Sequence, residues 1–247
     1  MLNNATATKL YEMRLGVMAQ AFRDQCGNAA LAELPFEERF GLLVDSEWAT
    51  RKSKRLIRLV RKAEFAFSDA CVEDIEYHPD RKLDKAQIMR LAAGGYIQEG
   101  HDIIILGATG SGKTYLASAF GISACRNFYP VRYVRLPELL GELAIARSEG
   151  RYRQAIKIYK QVNLLILDEW LLFQLKETEA RDILEIMEAR YKRASTIFCS
   201  QFDVPGWHQK IGEPTLAEAI TDRIVHDSYR IFIGGQISMR ERKGLAG

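Results

Sequence analysis

The chain has 247 residues, room for one good-sized domain and a smaller one at about 100–200 residues each, with 47% hydrophobic and 27% charged residues and a net charge of +3. Its start, MLNNATATKLYEMR, has no apolar core behind a basic tip, and no apolar run approaches the ~18 residues that span a bilayer, so neither a secretory leader nor a membrane protein is expected. Cys26, Cys71, Cys125 and Cys199 form no C-x-x-C pair and the four histidines do not cluster, which argues against zinc or a disulfide framework and for a reduced, cytoplasmic setting.

The first 75 residues predict a small helical domain. Leu10, Met13 and Val17, with Leu15, Met18 and Phe22 beside them, make an amphipathic stripe. A second helix opens at Pro35 with two glutamates behind it, and turns Phe36, Phe40, Leu43 and Val44 toward one side. It continues into RKSKRLIRLVRK, residues 51–62, with seven basic residues and no acid. Arg51, Arg55, Arg58 and Lys62 share one face there, a candidate for DNA phosphates or simply a solvated basic face. The polar stretch 73–86, EDIEYHPDRKLDKA, reads as the linker to a second domain over 76–247.

From Asp102 strands and helices alternate. DIIIL is a buried strand, followed by a helix over 115–128. VRYVRL is the second strand, and one long helical pattern covers 137–162. That pattern carries a second basic stretch, Arg147, Arg151, Arg153, Lys157 and Lys160 against one acid, Glu149. LLILDEW is strand three, ETEARDILEIMEARYKRA a helix, STIFCSQF strand four, TLAEAITDRIVHDS a helix and YRIFIGG the last strand. Strands alternating with such helices imply an α/β fold with a parallel sheet covered on both faces.

The motif GATGSGKT, Gly107, Ala108, Thr109, Gly110, Ser111, Gly112, Lys113 and Thr114, lies between the first strand and its helix. Its glycines let backbone N–H groups converge on a phosphate, Lys113 adds a charge for the β- and γ-phosphates, and the Thr114 hydroxyl is a candidate Mg²⁺ ligand. The bland alternative is a glycine-rich turn. In LLILDEW four apolar residues precede Asp168 and Glu169. Asp168 at a buried strand end is suited to holding Mg²⁺, and Glu169 to activating the water that attacks the γ-phosphate of ATP. A small-molecule kinase, whose nucleophile is a substrate hydroxyl, needs no such glutamate. After strand four, Gln201 or Ser200 is placed to align that water, or else forms a polar turn. Arg223, beside Asp222 on a helix, reads from position alone as a surface ion pair.

GATGSGKT, LLILDEW, SQFDVPGWH and LAEAITDRIVHDSYRI together resemble the IstB-like transposition helper ATPases, AAA+ proteins related to the DnaC helicase loaders, and PFEERFGLLVDSEW with its basic helix resembles their helical domain. The resemblance covers nearly the whole chain. It implies a five-stranded parallel sheet ordered 5-1-4-3-2, ATP and Mg²⁺ as cofactors, assembly of several subunits, binding to duplex DNA and a transposase partner from the same mobile element. By position it makes Arg223 an arginine finger for a neighbouring subunit's ATP site and puts Ser200–Gln201 at sensor 1. It also places the stretch of Arg147, Arg151, Arg153 and Lys157 where related loaders present pore-facing groups. After the last strand QISMRERKGLAG is shorter than the helical lid of most AAA+ proteins, so the lid is expected to be absent, with Arg240 or Arg242 as substitutes for its arginine. A replicative helicase loader of the DnaC type is the alternative reading.

Overall fold

The computed structural model describes residues 2–235, 237–242 and 244, the side chains of Leu2, Ala32 and Arg240 excepted. The chain parts into two compact units, Met1–Arg58 and Leu59–Gly247. Among the described residues no helix is long and apolar enough to cross a membrane.

The first unit contains α1 (Leu2–Glu12), α2 (Gly16–Cys26), α3 (Ala29–Ala32) and most of α4 (Phe36–Ala63). The expected stripe through Leu10–Phe22 is broken where Arg14 takes a left-handed φ of 59° between α1 and α2. Ala7, Met18, Ala19 and Leu43 are buried, whereas Phe36, Phe40 and Val44 are 66%, 50% and 41% exposed. The apolar spacing in α4 therefore marks the helix and its packed face, but that face is buried only from Leu43 to Glu47, while Phe36 and Phe40, earlier on the same face, stay exposed. Buried Glu47 accepts the Met18 N–H at 3.0 Å and Arg51 Nε at 2.7 Å, and the Arg51 hydrogen bond holds its carboxyl below the usual range.

In the second unit the stretch 73–86 is no free linker. Val72, Ile75 and Arg81 are buried, and a 3₁₀ turn at Pro79–Arg81 leads into α5 (Lys85–Ala92) and α6 (Gly95–Glu99). Asp84 caps α5, accepting from the N–H groups of Ala86 and Gln87. The alternating elements follow as β1 (Asp102–Gly107), α7 (Lys113–Arg126), β2 (Val131–Arg135), α8 (Leu136–Ser148) and α9 (Tyr152–Gln161). Then come β3 (Leu164–Trp170), α10 (Glu177–Arg190), β4 (Ser195–Ser200), α11 (Val204–Ile211), α12 (Pro214–Val225), β5 (Ser228–Ile233) and α13 (Met239–Arg242). The single helix expected over 137–162 is two, because Gly150 turns left-handed at φ 71° between α8 and α9. SQFDVPGWH carries a helix the apolar period does not reveal, with Asp203 capping α11 through the Gly206 N–H.

All five strands are parallel in the order β2-β3-β4-β1-β5, the expected order read from its other edge. Residues 164–167 of β3 and 103–105 of β1 are fully buried, as continuous apolar runs in a sheet covered on both faces should be. One core lies where Trp170 meets Phe198 and Trp207 edge to face with Leu139, Tyr159, Ile183 and Ile220 around them. The helix α7 contributes Leu116, Ala117 and Phe120 to a buried surface against β1, β2, β3 and β4. This is an α/β architecture built on one parallel sheet, and it brings the carboxyl ends of β1 and β3 to one edge of the sheet, on either side of β4.

Candidate nucleotide site

The phosphate loop begins where β1 ends. A side chain on Gly107 would sit 2.7 Å from Ser111 Oγ and 2.8 Å from the Ile233 carbonyl, so only glycine permits the turn. Gly112 takes φ 96° and caps α7, whose amino end, with its positive dipole, starts at Lys113. Lys113 is buried, and its Nζ donates to the carbonyls of Gly107 (2.8 Å) and Ala108 (2.9 Å). Burial lowers the pKa of this ammonium, against the opposing pull of Cys199 and Asp168. Among the described residues Ser111 Oγ is buried with no hydrogen-bond partner.

Asp168 joins this loop to β3. Its Oδ2 accepts the Thr114 hydroxyl at 2.7 Å and the Tyr133 hydroxyl at 2.9 Å, while its Oδ1 accepts the Glu169 N–H at 2.8 Å. The Tyr133 phenol is pushed up by burial first and by Asp168 second. Just past Asp168 the β3–β4 ladder shifts: Leu167 pairs with Phe198 and Trp170 with Ser200, three steps against two. That one-residue bulge puts Glu169 at φ 53°, a strained conformation for a non-glycine residue, and turns its carboxylate partly to solvent. Arg135 Nη1 lies 3.7 Å from Glu169 Oε1, and Arg135 also pairs with Glu138.

These groups open on a cavity of about 480 Å³. One wall is Lys113, Thr114, Tyr133, Asp168 and Glu169; another comes from Phe67 and from the stretch expected to be a linker, with Ile75 and Leu83 beside Arg81. Arg81 donates through Nη2 to the Ser111 carbonyl at 3.0 Å. On the far side of the loop Met239 N–H donates to the Gly110 carbonyl at 2.8 Å. The residues fit Mg²⁺ and a nucleoside triphosphate. Among the described residues the buried Ser111 hydroxyl in the loop has no partner and the Lys113 ammonium is held only by carbonyls. The Thr114 hydroxyl spends its proton on Asp168, which leaves its lone pairs for a cation.

The remaining candidates divide. Ser200 is fully buried in a structural role: it accepts from Trp207 Nε1 (3.0 Å) and the Phe202 N–H (3.1 Å). Gln201 is exposed just beyond β4 and does not line the cavity. Arg223 sits near the carboxyl end of α12, beside Asp102 at the start of β1 and so at the opposite end of the sheet from its own phosphate loop. It pairs with Glu188 at 2.9 Å, not with Asp222, which lies 3.3 Å from His226. Arg242 is paired with Asp80 at 2.5 Å outside the cavity lining, and the Arg240 side chain lies outside the described residues.

Among the basic residues, Arg51 is committed to Glu47 and to the Arg14 carbonyl. Arg55, Arg58 and Lys62 are exposed on the same side of α4. Arg147 pairs with Asp182 at 2.5 Å and lies over the Tyr152 ring, Arg151 pairs with Glu149, and Lys160 with Glu185 at 2.5 Å. Arg153 and Lys157, one turn apart on α9, are exposed. Tyr133, Arg135, Arg81 and Met239 are site residues with no motif of their own; the only signal for the first two is their place at the end of the strand next to β3.

Comparison with known proteins places this site in context. The sequence profile described as IstB-like ATP binding protein matches residues 8–246. An insertion sequence ATP-binding protein of Sinorhizobium fredii is 41% identical over 98% of this chain and 99% of its own length. The ATP-binding protein of insertion sequence IS1162 from Pseudomonas fluorescens is 40% identical over 81% of this chain and 87% of its own. Among solved structures, DnaI superposes with a TM-score of 0.59 at 23% identity, over 67% of this chain and 91% of its own. The replication initiator DnaA bound to AMPPCP and single-stranded DNA gives 0.58 at 21% identity, over 72% of this chain and 53% of its own.

Proposed function

The chain belongs to the IstB-like ATP-binding protein family, and from that premise we propose that it is a transposition ATPase. In this reading it binds and hydrolyses ATP with Mg²⁺ at residues 107–114, assembles in its ATP state on duplex DNA, and recruits the transposase of the same mobile element. The carrying observation is the Thr114–Asp168 contact, which ties the phosphate loop to β3 beside a cavity of nucleotide size.

Each residue then has a task. The loop N–H groups and the amino end of α7 receive phosphate, and Lys113 exchanges its two carbonyl partners for phosphate oxygens. Thr114 and Asp168 would hold Mg²⁺, which when bound neutralises charge on the β- and γ-phosphates. Glu169, turned outward by the bulge, orients the attacking water and takes its proton. Ser200 is committed elsewhere, and Gln201, exposed outside the cavity lining, would have to turn inward to align the water. Arg223 lies far from its own loop, which supports service to a neighbouring subunit's nucleotide and hence a homo-oligomer. Arg55, Arg58 and Lys62, with Arg153 and Lys157, are the cations offered to DNA; Arg51 and Arg147 contribute beyond their internal ion pairs. The setting is the cytoplasm.

The helicase-loader alternative shares the fold: the DnaC helicase loader superposes over 67% of this chain at 19% identity, a likeness of fold. The family match extends through the helical first unit, from residue 8, and favours the transposition reading. The test is retention of labelled DNA by the protein with ATP, ADP or no nucleotide. ATP-dependent retention of duplex is expected, and release of transposase-free duplex on hydrolysis. Retention of single strands only, and only with a replicative helicase present, would make it a loader.

A further inference from the structure

We propose that Tyr133 is a positioning residue for the ATPase centre, its hydroxyl fixing the Asp168 carboxylate in the orientation that receives the metal–nucleotide. The inference rests on the ATPase reading above and goes beyond it, because Tyr133 belongs to no nucleotide-binding motif.

The strand β2 lies beside β3, with Tyr133 paired to Ile166 and Arg135 to Asp168. The Tyr133 ring is buried and would serve packing equally well as phenylalanine. Its hydroxyl, however, donates to Asp168 Oδ2 at 2.9 Å, its one hydrogen bond among the described residues. A buried hydroxyl without that acceptor would lose hydration for no return. Asp168 thus takes three hydrogen bonds from three elements: Thr114 on α7, Tyr133 on β2 and its own neighbour Glu169 on β3. A carboxylate offers about four acceptor sites, so three fixed donors define its plane and leave about one direction open. Two of those donors come with the nucleotide motifs. Tyr133 is the additional one, and it anchors the oxygen that Thr114 also touches. Removing it leaves that oxygen held by Thr114 alone, the residue that is also the candidate metal ligand.

The experiment compares wild type with Tyr133→Phe in three measurements: Mn²⁺ affinity in the presence of AMPPCP, read by electron paramagnetic resonance; AMPPCP affinity in EDTA; and the kcat and KM for ATP. Thermal melting establishes that both are folded. The expected result is Mn²⁺ affinity weaker by about tenfold, the range of one charge-assisted hydrogen bond. A fall in kcat should accompany it, with metal-free AMPPCP affinity unchanged. Unchanged Mn²⁺ affinity in the folded variant would overturn the proposal. So would an equal loss of metal-free affinity, which would make Tyr133 a general support of the pocket. If wild type binds Mn²⁺–AMPPCP but does not hydrolyse ATP, the ATPase reading fails while the Mn²⁺ comparison still decides Tyr133. If wild type binds no Mn²⁺–AMPPCP, both fail.

Discussion

In the proposed function Lys113 holds ATP and Glu169 serves its hydrolysis, and the two stand apart in the structure. Lys113 is buried and tethered to loop carbonyls, whereas Glu169 stands beyond a bulge near Arg135. Lys113→Ala should therefore lose ATP binding and everything that depends on it. Glu169→Gln should bind ATP normally and hydrolyse it on the order of 10²–10⁴-fold more slowly, the worth of a positioned general base. Equilibrium binding of a fluorescent ATP analogue beside phosphate release checks both; equal loss of affinity in the two variants would contradict the division. A second residue-scale expectation concerns Asp102 at the start of β1. It accepts the Thr196 N–H at 2.6 Å, and burial pushes its carboxyl up to about 7 from an ordinary 3.8. A raised acid binds its proton more tightly in the folded state, so its contribution to stability is full below about pH 4 and is lost as pH rises through about 7. Asp102→Asn should keep the hydrogen bond and remove this loss. Melting temperatures of variant and wild type should diverge from pH 5 to pH 8 in favour of the variant; parallel profiles would contradict the shift. At this scale the sequence exposes residues whose chemistry is tied to a local motif, such as Lys113, Thr114 and Asp168. It conceals Tyr133, Arg135 and Arg81, whose roles arise from partners 30–35 positions away in the chain.

The strands were the most legible elements, because a strand buried on both faces must be a short continuous apolar run, and DIIIL and LLILDEW can hardly be anything else. Helix ends and helix faces were less so. Gly150 divides a pattern that reads as one helix, and Phe36 and Phe40 share the face of buried Leu43 yet stay exposed. The stretch 73–86 is polar in composition, yet it packs through Ile75 and through the aliphatic stem and main-chain hydrogen bonds of Arg81; composition reports hydration, not backbone partners. The bulge at 167–170 depends on a mismatch with β4 that one strand's sequence does not contain. The basic face of α4 is tested at the scale of the element. Arg55, Arg58 and Lys62 changed together to Ala should weaken duplex binding for all sequences alike. The log–log salt dependence should become shallower by roughly 0.9 for each phosphate that is no longer neutralised. Arg51 is left intact in that variant because it braces Glu47. An unchanged salt slope in the folded triple variant would reduce the face to a solvated surface, and the same comparison with Arg153 and Lys157 tests α9.

For the whole molecule, the proposed function makes hydrolysis a task shared by two subunits. Arg223 and its Glu188 partner lie at the end of the sheet away from the phosphate loop, so in that reading Arg223 serves the nucleotide of a neighbouring subunit. Arginine fingers are worth on the order of 10³–10⁵ in rate where GTPases use them. Arg223→Ala should bind ATP and scarcely hydrolyse it, and mixing it with Lys113→Ala should restore part of the activity, since some interfaces then pair an intact loop with an intact arginine. A mixture that co-assembles and stays inactive would return Arg223 to the surface ion pair seen with Glu188. The central claim, that ATP holds an assembly of this chain on duplex DNA, is tested most directly by measuring particle mass on duplex DNA with ATP for Glu169→Gln and Lys113→Ala. Long-lived multi-subunit complexes with Glu169→Gln that vanish in ADP, and none with Lys113→Ala, are the expected result. Equal assembly of both variants, with or without ATP, would contradict it.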